Sequence, residues 1–147
     1  MAYGTIVEAQ EYFDGRLNTD AWDDAITGDK TKALEQATTT IDRLNFRGSK
    51  TSSTQANQFP RDDDTTVPND IKNASFEIAL AFLDGVDPEM EYENLSMISQ
   101  GYANVRSTYD RSNVPLHIVA GVPSSVAWRF LVPYLRDAFS VDLSRIS

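Results

Sequence analysis

Lys32-Ala33-Leu34-Glu35-Gln36-Ala37-Thr38-Thr39-Thr40-Ile41-Asp42-Arg43-Leu44 is the stretch on which the fold turns. Leu34, Ala37, Ile41 and Leu44 recur at alternating three- and four-residue spacings, so a helix gathers them on one face. Asp29 can cap the start of that helix, and Gly48 supplies a stop after its end. Residues 49–66 are rich in Ser, Thr, Asn, Gln and Asp, which cannot bury themselves, so they predict a long loop around Gln58-Phe59-Pro60-Arg61. Loops of this length usually carry function or are ordered by a partner. Val67-Pro68 then opens a second helix through Ile71, Ala74, Ile78 and Phe82, because proline loses nothing at the first helical position. From Phe76 to Leu83 this helix is apolar nearly all round except at Glu77, which predicts burial on most sides, with a neighbouring subunit as one covering surface. Gly85 ends it.

Outward from this core, Thr5-Ile6-Val7-Glu8 reads as a capping box starting a short helix to about Phe13. Thr19-Asp20 can cap a second short helix carrying Trp22 and Ile26. On the other side, Asp84, Asp87, Glu89, Glu91 and Glu93 form an acidic connector. Residues 95–109 alternate in part between apolar and polar, and they predict a β-hairpin with its turn near Gln100-Gly101. Val114 to Ala120 reads as extended. Pro123 opens a last helix with Trp128, Leu131 and Leu135 on one face, and Pro133 kinks or ends it. The expected fold is therefore mainly α: a small helical bundle with a β-hairpin arm and an extended C-terminal tail. Residues 1–136 form the domain and 137–147 the tail, which keeps Phe139, Val141, Leu143 and Ile146 between polar residues.

Composition bounds the function. The 147 residues suit one domain, and 41% hydrophobic content is near the globular average. No apolar run approaches the ~20 residues that span a bilayer, and the first residues lack the basic and apolar segments of a signal peptide. The chain has no cysteine, which excludes disulfides, a thiol nucleophile and a cysteine zinc site, and fits a reducing cytoplasm. Its 22 Asp plus Glu against 13 Lys plus Arg give a formal net charge of −9. Nucleic-acid affinity comes largely from cations that neutralise phosphates, so this balance disfavours DNA binding except through a local basic patch. Arg43, Arg47 and Lys50 are the candidate cluster, although cations near a helix C-terminus are ordinary complements of its dipole.

Catalytic grammar is missing. His117 is the single histidine, so a two-histidine metal site is excluded. Asp62-Asp63-Asp64 and the Asp84–Glu93 run lack the ligand order of a calcium loop. Gly28-Asp29-Lys30-Thr31 lacks the leading glycine and strand of a phosphate loop. No serine stands in a recognisable nucleophile motif. The expectation is a non-enzyme with no metal and no cofactor. Glu77 stands out as a lone charge in an apolar helix. Buried, it needs a partner, and Arg61, Arg43 or Lys72 can supply one.

The ordered series of residues resembles a family of small tailed-phage proteins. The series runs Glu8, Tyr12, Phe13, Arg16 and Trp22, then Lys32, Ala33, Leu34, Ala37, Thr38, Ile41, Asp42, Leu44, Phe46 and Gly48. It continues with Gln58-Phe59-Pro60-Arg61, then Val67, Pro68, Ile71, Ala74, Glu77, Ala79 and Leu80, and closes on Leu131-Val132-Pro133-Tyr134-Leu135. Family members are described variously as head–tail adaptors, head-completion proteins or primosome-like single-strand-binding proteins. The acidic 86–94 segment and the extra residues 110–122 depart from the pattern. The resemblance implies a virion protein made in the host cytoplasm. It would form a ring, of twelve copies by expectation, below the portal protein, extend the channel for duplex DNA and dock the next neck or tail protein. Phe59, Arg61, Glu77, Phe139, Val141, Leu143 and Ile146 are the expected interface residues, with the tail reaching the portal or a neighbouring copy. The alternative is a cytoplasmic replication accessory that binds single-stranded DNA, with Arg106, Tyr109 and Arg111 as its best basic–aromatic cluster.

Overall fold

The computed structural model describes residues 2–103 and 114–136, with side chains over 2–95 and 114–136. The N-terminal capping box forms as its pattern predicts. Thr5 Oγ1 accepts from Glu8 N and Glu8 Oε1 from Thr5 N, each at 3.1 Å, and α1 (Ile6–Asp14) follows. Its first residues are pinned by packing as well, because Gly4 lies so close to the Phe76 ring that any Cβ would collide with it. The one-turn α2 (Asp20–Asp23) buries Trp22 completely. Thr19 sits at its cap position, but the hydroxyl donates to Asp23 Oδ2 at 3.0 Å instead of accepting from a backbone amide.

The helix at the centre of the reading is α3 (Thr27–Asp42). It begins earlier than expected: Ile26 is the cap, and Asp29 falls in the first turn, where a carboxylate complements the helix dipole. Leu34, Ala37 and Ile41 are buried, as their spacing predicts, and Ala33 and Thr38 widen the stripe. Gly48 does not end the helix. It serves the following loop at a φ of +73°, a conformation that suits glycine.

Pro68 caps α4 (Asn69–Leu83), whose residues 74–80 are all buried. The all-round burial is met within one chain, because α3, α7, α1 and α2 surround α4. No neighbouring subunit is needed to cover it.

The expected hairpin is a helix. α5 (Pro88–Ala103) occupies most of 95–109, and residues 104–109 lie outside the described residues. Local chemistry explains this. Pro88 takes the first helical position, Asp87 Oδ1 accepts from Glu89 N at 3.0 Å, and two glutamates sit in the first turn. Leu95, Ile98 and Tyr102 also fit a helical spacing, so alternation alone did not discriminate. Val114–Ala120 is likewise not extended. It folds into α6 (Leu116–Val119), which joins α5 in a satellite cluster of Val114, Ile118 and Val119 against Tyr92 and Leu95. Among the described residues there is no sheet, only two isolated antiparallel bridges, Phe46 with Leu135 and Lys50 with Arg61.

Ser124 Oγ accepts from Ala127 N at 3.1 Å and caps α7 (Ser125–Leu131). Pro133 ends the α-helix in a 3₁₀ turn over Val132–Tyr134. The tail residues Phe139, Val141, Leu143 and Ile146 lie outside the described residues, as do Arg106, Tyr109 and Arg111.

Candidate functional site

Glu77 is 2% exposed, so its charge must be met internally. Arg16 meets it with both arms of the guanidinium: Nε to Oε2 at 2.6 Å and Nη2 to Oε1 at 2.9 Å. The Tyr12 hydroxyl donates to Oε2 at 2.5 Å. Burial, then the hydrogen bond to Glu77, pushes the Tyr12 phenol well above its ordinary range. None of the three partners expected from sequence fills this place. Lys72 pairs with Glu8 at 2.7 Å, Arg61 serves the loop, and Arg43 is exposed at the end of α3. The missed signal lay in the α1 sequence. Tyr12 stands in the last turn of α1 and Arg16 just past its Gly15 cap, so the turn at the helix end brings two donors to the same carboxylate. The ion pair forms part of the wall of a polar groove of about 510 Å³ shared with Asn18, Asp20, Asp84 and Ser124.

Phe59 and Arg61 close the long loop from inside. Phe59 is 4% exposed and meets Phe46, Tyr3 and Tyr134 edge-on, with ring centres 4.7, 6.1 and 5.8 Å away. The Phe59–Pro60 peptide is cis. Arg61 is also buried, and it satisfies three carbonyls that the loop would otherwise orphan: Arg47 O at 2.9 Å, Gly48 O at 2.7 Å and Gln58 O at 3.3 Å. Gln58 Oε1 takes a further bond from Nη1 at 2.8 Å. The polar residues bond among themselves. Gln55 donates to Pro60 O at 2.8 Å, and Asp62 Oδ1 accepts from Ser49 N at 3.1 Å.

The N-terminus and the closing motif lock this arrangement. The Tyr3 hydroxyl donates to Asp42 Oδ1 and accepts from Phe59 N at 3.2 Å, and Gln58 N reaches the same Asp42 oxygen at 3.2 Å. Burial, then the Asp42 hydrogen bond, holds the Tyr3 phenol far above its ordinary range. Arg47 N donates to Tyr134 O at 2.9 Å, Arg136 N to Asn45 O at 3.1 Å, and Arg47 Nε to Leu135 O at 2.8 Å. Tyr3 and Asp42 were not singled out from sequence as a pair. Nothing in the spacing links them, because a tertiary contact across 39 residues brings them together.

The outer face of α3 carries a different chemistry. Lys32, Glu35, Gln36, Thr39, Thr40 and Arg43 line an open groove of about 540 Å³ with Phe82 from the end of α4. Lys32 and Arg43 are eleven residues apart, three helical turns, so they stand on one side of the helix about 16 Å apart along its axis. Both are exposed, and Gln36 and Thr39 between them are exposed as well. Thr39 and Thr40 hydroxyls donate back to the carbonyls of Glu35 and Gln36, which leaves their lone pairs outward. Phe82 is half-buried and offers an aromatic edge beside the polar row. Among the described residues no group of His, Asp and Glu is arranged to hold a metal ion.

The family profile described as "Putative DnaT-like ssDNA binding protein" matches residues 2–135. No curated protein and no solved structure gives a match. Of the descriptions the sequence resemblance carries, the match supports the single-strand-binding one and is silent on the adaptor. It spans every element from the N-terminal capping box to the closing bridge, and by it the chain belongs to the DnaT-like ssDNA binding protein family.

Proposed function

We propose that this protein binds single-stranded DNA along the outer face of α3, without a catalytic step. The observation that carries the reading is the groove in which Lys32 and Arg43 bracket a row of uncharged hydrogen-bonding side chains, with Phe82 at its edge. A single strand needs cations spaced along its backbone and an aromatic surface for its bases. This groove offers both on a modest scale. Glu35 and the overall charge of −9 oppose a polyanion, so the complex is weak, and it weakens further as salt competes with the cations for phosphate. Fluorescence anisotropy of labelled oligo-dT at low salt tests it. The wild type should bind, and the Lys32→Glu, Arg43→Glu double variant should lose about tenfold or more, roughly 1.4 kcal/mol. Absence of wild-type binding at low salt overturns the reading.

A second reading rests on the charge itself. An acidic chain is suited to a conduit that duplex DNA must pass without sticking. In that reading the protein is a head–tail adaptor, a ring of copies docked on the portal protein and the next neck or tail protein. Co-sedimentation with portal rings supports it, and a chain that never joins them removes it.

A further inference from the structure

We infer that the single strand does not end at Arg43 but continues across the Phe46–Leu135 bridge onto Arg47 and Arg136. This inference rests on the single-strand-binding reading and assigns that site its second half. Arg43 is at once the end of α3 and a wall of the groove. Four residues further on, Arg47 is held against the closing motif by its backbone amide on Tyr134 O and its Nε on Leu135 O. The same bridge sets Arg136 beside Asn45, through Arg136 N to Asn45 O at 3.1 Å. Three exposed arginines from segments 89 to 93 residues apart in sequence, read from positions 43, 47 and 136, therefore meet at one end of the bundle.

These charges are available. Among the described residues the two ion pairs are Arg16–Glu77 and Lys72–Glu8, so none of the three arginines is neutralised by a described acid. The Arg47 fork is fixed at Nε and keeps its two terminal nitrogens. The acids on neighbouring segments form no ion pair with them: Asp42 accepts from Tyr3 and Gln58, Asp62 from Ser49, and Asp70 from the Tyr134 hydroxyl at 3.3 Å, while the charges of Asp70 and Asp64 act on Tyr134 and moderate the local field. Lys50 is not part of the path, because its ammonium turns back toward Gln55 O at 3.5 Å. The chemistry favours phosphate over base. Arginines on a rigid bridge present planar forks to oxygen anions, and no aromatic face is exposed among them.

The salt dependence of binding counts the contacts. For a single strand, log K falls against log salt with a slope near −0.7 per neutralised phosphate. Lys32 and Arg43 alone give a slope of about −1.4, and the four cations together about −2.8. Oligo-dT long enough to cover both halves should give the steeper value. Arg136→Ala should reduce it to about −2.1, and Arg136→Lys should restore it, since the charge and not the packing is at stake. Lys32→Ala serves as the parallel loss from the groove half. If the wild type binds and Lys32→Ala lowers the slope while Arg136→Ala and Arg47→Gln leave it unchanged, the inference is overturned and the reading stands. If the wild type does not bind at low salt, both fall together.

Discussion

Among the described residues the most deeply placed charge is Glu77, and its partners decide what its loss would do. A buried carboxylate held by a bidentate arginine and a phenol is satisfied, yet removal of one member leaves the other uncompensated. Breaking such a pair costs about 3–5 kcal/mol. Glu77→Ala should therefore lower the unfolding free energy extrapolated from a urea titration by an amount in that range. Arg16→Ala should come close to it, and Lys72→Ala should cost under about 1 kcal/mol, because its pairing with Glu8 is at the surface. Equal effects of Lys72→Ala and Arg16→Ala would contradict the assignment. The need for a partner was legible at Glu77 itself, as one acid in an apolar run. The partner's identity was not, because it depends on where Gly15 sends the chain after α1.

Ionisation at the same scale gives stability two edges. The Glu8 carboxyl lies below its ordinary 4.5, mainly through the Lys72 hydrogen bond and then the Thr5 amide. Its contribution is present above that value and is lost as pH falls through the lowered one. Tyr3 and Tyr12 are shifted the other way, by burial first and their carboxylate acceptors next. Their contribution is whole below the ordinary phenol value of 10.0 and falls above it, where the unfolded chain ionises first. Denaturant titrations should show a plateau between these edges. A native absorbance titration should find Tyr3 and Tyr12 still protonated above the ordinary phenol range, with Tyr134 shifted in the same direction by burial and then by Asp70. If all tyrosines ionise together near pH 10 with the fold intact, the burial argument fails.

Among the elements, the loop of residues 49–66 departs furthest from what its composition suggests. Polar composition implied a long loop that carries function or is ordered by a partner. Instead Arg61 gathers its carbonyls, Phe59 plugs it into an aromatic cluster, and Leu135 bridges its base. Phe59→Ala should cost about 3–5 kcal/mol, as large core truncations do. Arg61→Lys should also destabilise, because a single ammonium cannot reach the four acceptors that the fork serves. A loop that melts in hydrogen exchange before α3 and α4 in Arg61→Lys, with the helices still protected, is the expected signature. Periodicity disclosed α3 and α4 because burial writes a spacing into sequence. The loop's order was written in single residues, Phe59, Arg61 and Gly48, whose roles emerge only with their partners. The error over 95–103 has a related cause: partial alternation was read as a hairpin, while Asp87 and Pro88 had already set a helix start.

At the scale of the whole chain, the sign of the charge separates the two functional readings. Every copy carries −9, so gathering copies concentrates like charge, and gathering a polyanion does the same except where the α3 cations act. The core adds no push toward assembly, since α4 is enclosed by its own chain. Among the described residues, exposed apolar side chains such as Val7, Leu17 and Ile26 are a source of adhesion. Salt screens repulsion between acidic copies and at the same time competes with arginine–phosphate contacts. Sedimentation from about 0.05 to about 0.5 M salt should find the 16.4 kDa monomer at the low end. Any self-association should grow with salt, while oligo-dT affinity falls over the same range. Because the two activities respond with opposite sign, one titration ranks them. Rings that form at low salt and dissolve on adding it would mean that ion pairs hold the copies together, and the charge argument would fail.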